Sequence, residues 1–443
     1  MAEKKLIGYL PPDRPPFGAM LSLGFQHVLT MFPATVLVAI LTKFDVGVTL
    51  FASGLATTIA LLASGKRIPL YYGSSFSYIA AIVGVVGASW GGPQVAQVGI
   101  VATAIVNVLA GLLISAVGKE ALDRVLPPTI TGSVAIVIGI ALAKAALDMA
   151  GANWTVAVIT LVATVLFSVY LRGLGLLGML PVLLGAILGY LVAIPAGLVN
   201  FAPVAQAAWL RLPNFSFPAF GNPNAWLAVI SIAPIAIATI PESTAHLYQI
   251  SLYVDRLAEE QGRKPLQIKR LIGLNLILDG IGDSLNGLLG GCAGTNYGEN
   301  NSLMAITRNY SVPVLITAGV IAMFLGFIGK LAALVGTLPA AVTGGLAIYL
   351  FGVIGLQGVA LMMSEKVDLF DPRELAVGAT ILVIGIGGSA FPGGNIPIWG
   401  MSLPSIATSA VVGIVLNLIF VLFPVKWSMA QDQDTGATQN TAL

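Results

Sequence analysis

The sequence predicts an all-α polytopic membrane protein with fourteen transmembrane segments in a 7+7 inverted repeat. Three observations support this fold class. Hydrophobic residues make up 57% of the 443 residues and charged residues only 9%, whereas soluble chains carry roughly 25% charged residues. The apolar stretches divide into fourteen candidate spans, and two parts of the chain repeat each other. The composition therefore excludes a soluble globular protein, and the other two observations predict the architecture.

The candidate spans are stretches of about 20 largely apolar residues, the length needed to cross a bilayer as a helix. In the first half they lie at 18–42, 47–65, 69–86, 95–117, 128–147, 152–171 and 176–198; in the second half they lie at 226–249, 272–290, 295–307, 311–335, 339–363, 374–389 and 404–425. The third and tenth spans are the poorest in unbroken apolar sequence. We therefore expect each of them to be a short extended stretch followed by a half-helix.

The basic residues predict the orientation of these spans, because cytoplasmic loops carry an excess of Lys and Arg. With a cytoplasmic N-terminus, 17 of the 21 Lys and Arg residues fall inside, and only Lys43, Lys144, Arg211 and Lys330 fall outside. Adding or removing one span would place many of the later basic residues on the opposite side of the membrane. Both termini are therefore predicted to be cytoplasmic, with a polar segment at 1–17 and a tail at 427–443.

An internal duplication is indicated by four dipeptides that recur in the same order. Gly118-Lys119, Leu126-Pro127, Thr131-Gly132 and Ala135-Ile136 return as Gly329-Lys330, Leu338-Pro339, Thr343-Gly344 and Ala347-Ile348. Chance similarity between apolar helices is the alternative explanation. Because seven spans is an odd number, the second copy must be inverted across the membrane, an arrangement of secondary transporters with their sites near the midplane.

The most informative motif is Tyr297-Gly298-Glu299-Asn300-Asn301, which places a carboxylate beside a glycine in the tenth span. An ionisable group at membrane depth costs on the order of 2.5–3.5 kcal/mol and indicates a functional site. In the third span, Tyr72-Gly73-Ser74-Ser75-Phe76 repeats the Tyr-Gly pair. The two interrupted segments predict a binding site between the halves, and Gly298 would let a ligand approach the main chain closely.

A second carboxylate, Glu242, lies in Pro241-Glu242-Ser243-Thr244-Ala245-His246 within an otherwise apolar span. His246 follows four residues later and so shares a helix face with Glu242. We expect Glu242 and Glu299 to meet in one pocket, with Glu242 binding a coupling proton. Two structural alternatives stay open: a Glu–His pair that only stabilises the helix end, and a Glu299 that only complements the dipole of its half-helix.

The ligand that such a site would suit is a flat, neutral molecule with alternating N–H and C=O groups. Half-helix N-termini would donate to its carbonyl oxygens and the two carboxylates would accept its N–H groups, whereas an anion would face two negative charges. Phe76 and Tyr297 are candidates for ligand contact or for internal packing, and a buried Tyr hydroxyl needs a partner. Asp279 and Asp283 are assigned first to structural hydrogen bonds and second to proton binding.

Other classes of function find little support in the composition. Cys292 is the only cysteine, so an intrachain disulfide is excluded and a redox role is disfavoured. Two histidines and one cysteine offer no evident metal cluster or nucleophile–base pair, so we expect neither an enzyme nor a bound cofactor or metal. The net charge of +2 without a basic patch does not indicate nucleic-acid binding. The N-terminal segment lacks the apolar core of a signal peptide.

These motifs resemble those of the nucleobase/ascorbate transporter family, most closely its bacterial uracil permease branch. The resemblance covers nearly the whole chain and rests on Phe25-Gln26-His27 with Met31-Phe32 and Ala34–Leu37, on Tyr72–Phe76, on Pro241–His246, and on Tyr297–Asn300 with Ala305–Arg308. A Glu at 299 looks like the uracil branch more than the xanthine branch. A glycine usually follows the Asn of this signature shortly afterwards, whereas this chain has Asn301-Ser302.

The resemblance implies a core domain of spans 1–4 (18–118) and 8–11 (226–336), and a gate domain of spans 5–7 (119–200) and 12–14 (337–426), with an extracellular loop at 201–225. It implies proton-coupled uptake of uracil across the cell inner membrane by alternating access, with H⁺ as the coupling ion. Family members often form homodimers through the gate domain.

The resemblance also implies the substrate contacts. The side chains of Glu242 and Glu299 would hold the nucleobase together with the segments around Ser75, Phe76, Tyr297 and Gly298, and His246 would lie close to the coupling carboxylate. Two alternatives remain open. In the first, the protein is a permease for xanthine or another purine on the same scaffold. In the second, it is an anion carrier or channel. An anion site needs a cation that faces the half-helix ends, and the core spans contain no such cation.

Overall fold

The computed structural model describes residues 8–118, 124–391, 394–398 and 401–423. Lys119 of the first Gly-Lys pair and the predicted tail at 427–443 lie outside these ranges. The helices are α1 (Phe17–Thr42), α2 (Val46–Ala63), α3 (Ile79–Gly87), α4 (Pro93–Val117), α5 (Pro128–Ala141), α6 (Ala143–Ala150), α7 (Trp154–Tyr170), α8 (Pro181–Ala193), α9 (Ala202–Gln206), α10 (Ala225–Ile232), α11 (Ala236–Glu260), α12 (Ile272–Leu289), α13 (Gly298–Thr307), α14 (Val312–Gly326), α15 (Gly329–Gly336), α16 (Ala340–Ser364), α17 (Pro372–Leu382) and α18 (Ser405–Leu422). The strands are β1 (Tyr72–Ser74), β2 (Gly294–Asn296), β3 (Asn395–Ile398) and β4 (Met401–Pro404).

Long apolar helices dominate the fold. Among the described residues, seven helical stretches are long and apolar enough to cross a membrane, including α1, α4, α16 and the stretch through α10 and α11. Shorter apolar helices such as α7, α8 and α14 accompany them. Helices overlap all the predicted span intervals. The prediction of a multi-pass, mainly helical membrane protein is confirmed at this level.

The third and tenth intervals contain a two-stranded ribbon. β1 and β2 pair antiparallel, with Tyr72 opposite Asn296 and Ser74 opposite Gly294. One turn of 3₁₀ helix at Phe76–Tyr78 leads from β1 into α3, and α13 begins at Gly298 directly after β2. Because the strands are antiparallel, the two short helices leave from opposite ends of the ribbon.

A buried carboxylate on α12 anchors this ribbon. The hydroxyl of Tyr72 donates to Asp283 Oδ1 at 2.6 Å, and the N–H of Gly294 donates to the same oxygen at 2.8 Å. Asn107 Nδ2 on α4 donates to Asp283 Oδ2 at 2.9 Å. Asp283 therefore binds both strands and a neighbouring helix, in agreement with the structural assignment made from the sequence.

Helices pack in close pairs around the ribbon. α2 packs along α14, and α4 packs along α12. A Cβ atom on Gly54 would lie 2.3 Å from the carbonyl oxygen of Gly319, and one on Gly111 would lie 2.5 Å from that of Gly273. The backbones thus approach directly, as is typical of helix pairs in lipid, where small residues rather than the hydrophobic effect permit association. The division into core and gate domains stays a prediction.

One predicted helix end is wrong. The eighth span is predicted to end at 249, but α11 continues to Glu260, because Val254, Leu257 and Ala258 form a buried face that extends the helix. The described part of the polar segment at 1–17 packs against the protein, where Leu10 is fully buried. Apolar contacts outweigh the local charge and proline content in both places.

Candidate functional site

A cavity of about 580 Å³ lies between two walls of helices. One wall comes from α11, β2, the start of α13 and the turn after β1, and the opposite wall comes from α5 and α16. All residues that the sequence assigns to the site line this cavity: Ser75, Phe76, Glu242, His246, Tyr297, Gly298 and Glu299. The fold therefore brings together three motifs, each more than fifty residues from the next in sequence.

Glu242 reaches the cavity from the first half of α11. It follows Pro241 inside the helix and is half-buried, while the next residue, Ser243, is buried and faces away from the cavity. The Ser243 hydroxyl donates to Asp279 on α12, and Asn275 Nδ2 donates to Ser243 Oγ at 2.7 Å. This network behind the helix fixes its rotation, so that Glu242 points to the opposite side.

Asp279 belongs to that network and not to the cavity wall. Asn296 Nδ2 on β2 lies 3.4 Å from Asp279 Oδ2 and donates to Ser243 Oγ at 2.8 Å. Among the described residues, neither Asp279 nor Asp283 forms an ion pair. The two carboxylates hold α11, α12 and the ribbon together by hydrogen bonds, which agrees with the first of the two roles predicted for them.

Glu299 reaches the cavity from the first turn of α13. Its side chain is exposed to the cavity. A carboxylate in a first helical turn is stabilised by the helix dipole. The carboxylates of Glu242 and Glu299 are close enough to interact electrostatically. Glu299 therefore lies both at the N-terminal end of its helix and in the same cavity as Glu242, the two positions that the sequence analysis considered for it.

His246 connects the two acidic helices. Its Nδ1 lies 2.8 Å from the carbonyl oxygen of Asn296, and because a carbonyl only accepts, Nδ1 carries a proton and donates. In the neutral ring Nε2 is then an unprotonated acceptor. A Cβ atom on Gly298 would lie 2.7 Å from this Nε2. His246 therefore faces the N-terminus of α13, beside Glu299.

The need for glycine at 298 has a cause that the sequence does not reveal. Gly298 is expected to admit a ligand close to the main chain, but the group that approaches it is the imidazole of His246. Any side chain at this position would displace His246 or separate α13 from α11. The glycine thus sets the contact between these two helices as well as lining the cavity.

Tyr297 and Ser75 are tied into the ribbon. The Tyr297 hydroxyl donates to the carbonyl oxygen of Ser74 at 2.8 Å and lies 2.9 Å from Thr35 Oγ1 on α1. Ser75 donates its main-chain N–H to Ala293 at 3.0 Å, and its hydroxyl accepts from Ser77 N–H at 3.3 Å. Both residues line the cavity with these groups already paired, so their main contribution is to the shape of its floor.

Phe76 is half-buried at the start of the 3₁₀ turn and lines the cavity. Main-chain N–H groups in the first turn of a helix have no partner within the helix. The start of the turn at Phe76 and the start of α13 at Gly298 both lie at the cavity wall. Ser75 already accepts from the N–H groups of Ser77 and Tyr78, so the turn presents the N–H of Phe76 at this wall, beside the start of α13.

The sequence does not predict the wall formed by α5 and α16. It is mainly apolar, with side chains of Ile138, Leu350 and Ile354, and it includes the exposed amide of Gln357. Such residues look like ordinary lipid-facing or packing residues in a membrane helix. Thr131, from the duplicated Thr-Gly dipeptide, also lines this wall. The repeat is the one sequence signal that could have identified a residue of this wall.

The cavity is acidic and lacks fixed positive charge. No Lys or Arg is found among the described residues that line it, and His246 is the only other titratable side chain there apart from Tyr297 and the two glutamates. No group of three or more potential metal-binding side chains exists in the described part of the chain. The arrangement can accept N–H donors of a ligand through two carboxylates, and it disfavours anions.

The fold and the cavity define the class: a multi-pass membrane transporter with two acidic side chains at its candidate binding site. The model of the Permease family, Xan_ur_permease, matches residues 18–394. The uracil permease of Bacillus caldolyticus is 39% identical to this chain, with 92% of this chain and 93% of the relative covered. The uracil permease of Escherichia coli (strain K12) is 33% identical, with 93% and 94% covered. The chain therefore belongs to this family of permeases, which are transporters of the cell membrane and not enzymes.

Solved structures with a similar fold are more distant in sequence. The transmembrane domain of the cyanobacterium bicarbonate transporter BicA superposes with a TM-score of 0.56 at 16% identity, covering 90% of this chain and 96% of that one. The murine Slc26a9 anion transporter in the inward-facing state gives a TM-score of 0.64 at 12% identity, covering 94% and 70%. At these identities the likeness concerns the fold alone.

Proposed function

We propose that this permease imports uracil by proton symport, with the nucleobase held between Glu242 and Glu299. The observation that carries the proposal is that both carboxylates line one cavity that has no Lys or Arg among its described residues. The relatives at 33–39% identity are uracil permeases, and uracil is flat, neutral and rich in alternating N–H and C=O groups. Two carboxylates suit its N–H donors, and helix N-termini suit its carbonyl oxygens.

In the proposed complex, each protein group has a distinct task. Glu299 accepts one ring N–H group as a carboxylate, and charge-assisted bonds of this kind are roughly twice as strong as neutral ones. Glu242 accepts the other ring N–H group, through its carbonyl oxygen when it holds the coupling proton. The N–H of Phe76 and the first N–H groups of α13 donate to the carbonyl oxygens. Phe76 lies at the edge of the same wall, where its ring can stack on the nucleobase.

Proton coupling is assigned to Glu242 with His246. A proton on Glu242 removes one of two neighbouring negative charges, which favours movement of the loaded helices through the low-dielectric membrane. A membrane potential adds about 2.3 kcal/mol per charge per 100 mV. His246 donates through Nδ1 to Asn296, so its Nε2 is available to exchange a proton beside Glu299. No cofactor is proposed besides H⁺.

The proposed architecture is fourteen spans in a 7+7 inverted repeat with core and gate domains. Helix packing supports it, because α2 with α14 and α12 with α4 are equivalent pairs under such a repeat, and so are α1 with α14 and α10 with α4. The pairing of β1 with β2 fits the same symmetry. A homodimer through the gate domain and cytoplasmic termini belong to the same proposal.

Alternating access would then move the wall of α11 and α13 past the wall of α5 and α16. The cavity is lined by α11 from Ala238 to Gln249 and by α16 from Leu350 to Leu361. In the proposed cycle it opens toward the end of α11 that leads to the loop with Arg263, the side predicted to be cytoplasmic. This arrangement corresponds to an inward-facing state in the proposed cycle.

Uptake of labelled uracil into proteoliposomes with an acidic exterior tests this function. Accumulation should collapse with a protonophore and should be competed by unlabelled uracil but not by bicarbonate. Stronger competition by xanthine than by uracil would favour the purine alternative, which the family model's name also covers. Absence of uracil uptake by folded protein would contradict the proposal, and competition by bicarbonate would favour an anion carrier on the same fold.

A further inference from the structure

Residues 8–13 lie across the ends of α11 and α13, with Tyr9 in a β-bridge to Asn309 and a turn from Leu10 to Asp13. The N–H of Tyr9 donates to the carbonyl oxygen of Arg308 at 3.0 Å, and the N–H of Tyr310 donates back to Tyr9 at 2.8 Å. Leu10 is fully buried in the apolar cluster that includes Val254 and Leu257 of α11. The segment is therefore hydrogen-bonded to the connection after α13 and packed against the last turns of α11.

Polar contacts complete this attachment. Asp13 Oδ1 and Oδ2 each accept from Arg263 Nη1 at 2.8 Å, and Asp13 Oδ2 also accepts from the N–H of Leu10 at 2.8 Å. Gln261 Nε2 donates to the carbonyl oxygen of Gly8 at 2.9 Å. We call residues 8–13, with their partners at 261–263 and 308–312, the inner clasp.

A second attachment of the same design lies before α10. The N–H of Arg211 donates to the carbonyl oxygen of Phe327 at 2.9 Å, and that of Gly329 donates to Trp209 at 3.0 Å. Arg211 Nη2 donates to Asp45 Oδ2 at 2.7 Å, and Asn214 Nδ2 donates to the same oxygen at 3.0 Å. We call residues 209–216, with their partners at 45 and 327–329, the outer clasp.

The two clasps share one contact. Each one precedes the first span of its half of the chain and forms an ion pair with the connection between the first two spans of the other half. Their main-chain partners differ, since 308–312 lies between α13 and α14 and 327–329 follows α14. In the inner clasp the leading segment supplies the acid, Asp13, and in the outer clasp it supplies the base, Arg211. The contact is thus repeated although the residue types are exchanged, which indicates that the cross-connection itself is what matters.

We propose that the clasps hold the helices of the two halves as one rigid unit, and that the inner clasp sets the spacing of Glu242 and Glu299. The inner clasp joins the ends of α11 and α13, the two helices that carry these carboxylates. A site held in its binding geometry before the ligand arrives binds more tightly, because less ordering is needed on binding. Asp13, Leu10 and Arg263 are therefore positioning residues for a cavity they do not touch.

The test uses purified full-length protein with Asp13→Arg, Arg263→Asp and the charge-swapped double variant. Each single change should weaken uracil binding about fivefold or more, and the double variant should recover most of the loss, because neighbouring charges couple. Asp148→Arg, which breaks the exposed ion pair with Lys144, is the control and should bind as wild type. Asp13→Asn serves as a milder variant if a reversed charge prevents folding.

A second readout does not depend on the ligand. Hydrogen exchange of residues 298–307 in the ligand-free protein should be faster in the single variants and restored in the double variant. Unchanged binding and unchanged exchange in folded single variants would overturn the clasp proposal. The use of uracil as the ligand rests on the proposed function. If the wild-type protein does not bind uracil, the proposed function is contradicted. The hydrogen-exchange measurement still tests the inner clasp in that case.

Discussion

Three consecutive residues of α13 contact three different surroundings. Glu299 faces the cavity, Asn300 Nδ2 donates to the carbonyl oxygen of His27 on α1 at 3.2 Å, and Asn301 Nδ2 donates to the carbonyl oxygen of His246 on α11 at 3.1 Å. A helix rotates by about 100° per residue, so neighbouring side chains point apart. Two amides thus anchor the short helix on both sides of the carboxylate that it presents.

At the residue scale, Glu242→Gln should separate binding from coupling. Gln keeps the size of the side chain but cannot take up and release a proton, so accumulation driven by a pH gradient should fall to background. The melting temperature should stay the same or rise, because one of two interacting carboxylates becomes neutral. Uptake in proteoliposomes and a thermal melt check this prediction, and full proton-driven accumulation by the variant would remove Glu242 from the coupling role.

Gly298→Ala should weaken binding through His246. The added Cβ would lie 2.7 Å from His246 Nε2, so the imidazole or α13 must shift and the two carboxylates must move relative to each other. We expect a loss of affinity of about tenfold, which corresponds to 1.4 kcal/mol, measured by uracil titration. Gly352→Ala on α16 is the matched control, since a Cβ there meets no atom within 4 Å. Equal affinities for both variants would contradict the described contact.

At the scale of elements, the β1–β2 ribbon depends on Asp283. Tyr72→Phe removes one of the three donors to this buried carboxylate, and a weakened buried hydrogen bond to a charged group costs about 1.5–3 kcal/mol. The melting temperature should fall measurably. Tyr170→Phe, at a side chain that is 75% exposed on α7, should leave it unchanged. If the two variants melted alike, the ribbon would not be anchored as described.

The elements were predictable where the physical signal is local. Runs of apolar residues predict α1, α4 and α16, and the poor apolar runs after Tyr72 and Gly294 predict the extended stretches. The end of α11 at Glu260 was not predictable from charge, because its buried face continues beneath charged residues. The β3–β4 hairpin before α18 also has no clear local signal, since Asn395–Ile398 pairs with a segment only a few residues away in an apolar context.

At the scale of the whole molecule, the two acidic motifs could be foreseen but their opposite wall could not. Buried carboxylates are rare in membrane helices and stand out in a sequence, whereas Leu350, Ile354 and Gln357 do not. The contact of Gly298 with His246 likewise depends on how α11 and α13 cross. Roles that arise from rare residue types are therefore visible in the sequence, and roles that arise from packing are not.

The proposed topology places the loop before α10 outside and the loop after α11 inside. In a Cys292→Ser background, a cysteine at Asn222 should react with a membrane-impermeant maleimide on intact cells, and one at Gln267 should react only after permeabilisation. The native thiol is buried beside the hydroxyls of Thr42 and Thr49, which can pair with a serine hydroxyl, and its replacement removes the native cysteine from the labelling reaction. Labelling of both positions in intact cells would contradict a membrane crossing by the stretch through α10 and α11.

The most direct measurement of the central claim is an experimental structure of the protein with uracil bound. Two nitrogen atoms of one uracil should lie about 2.7–3.2 Å from carboxylate oxygens of Glu242 and Glu299 respectively, within the cavity between α11, α13 and α16. Uracil bound elsewhere, or in contact with only one of these side chains, would contradict the account.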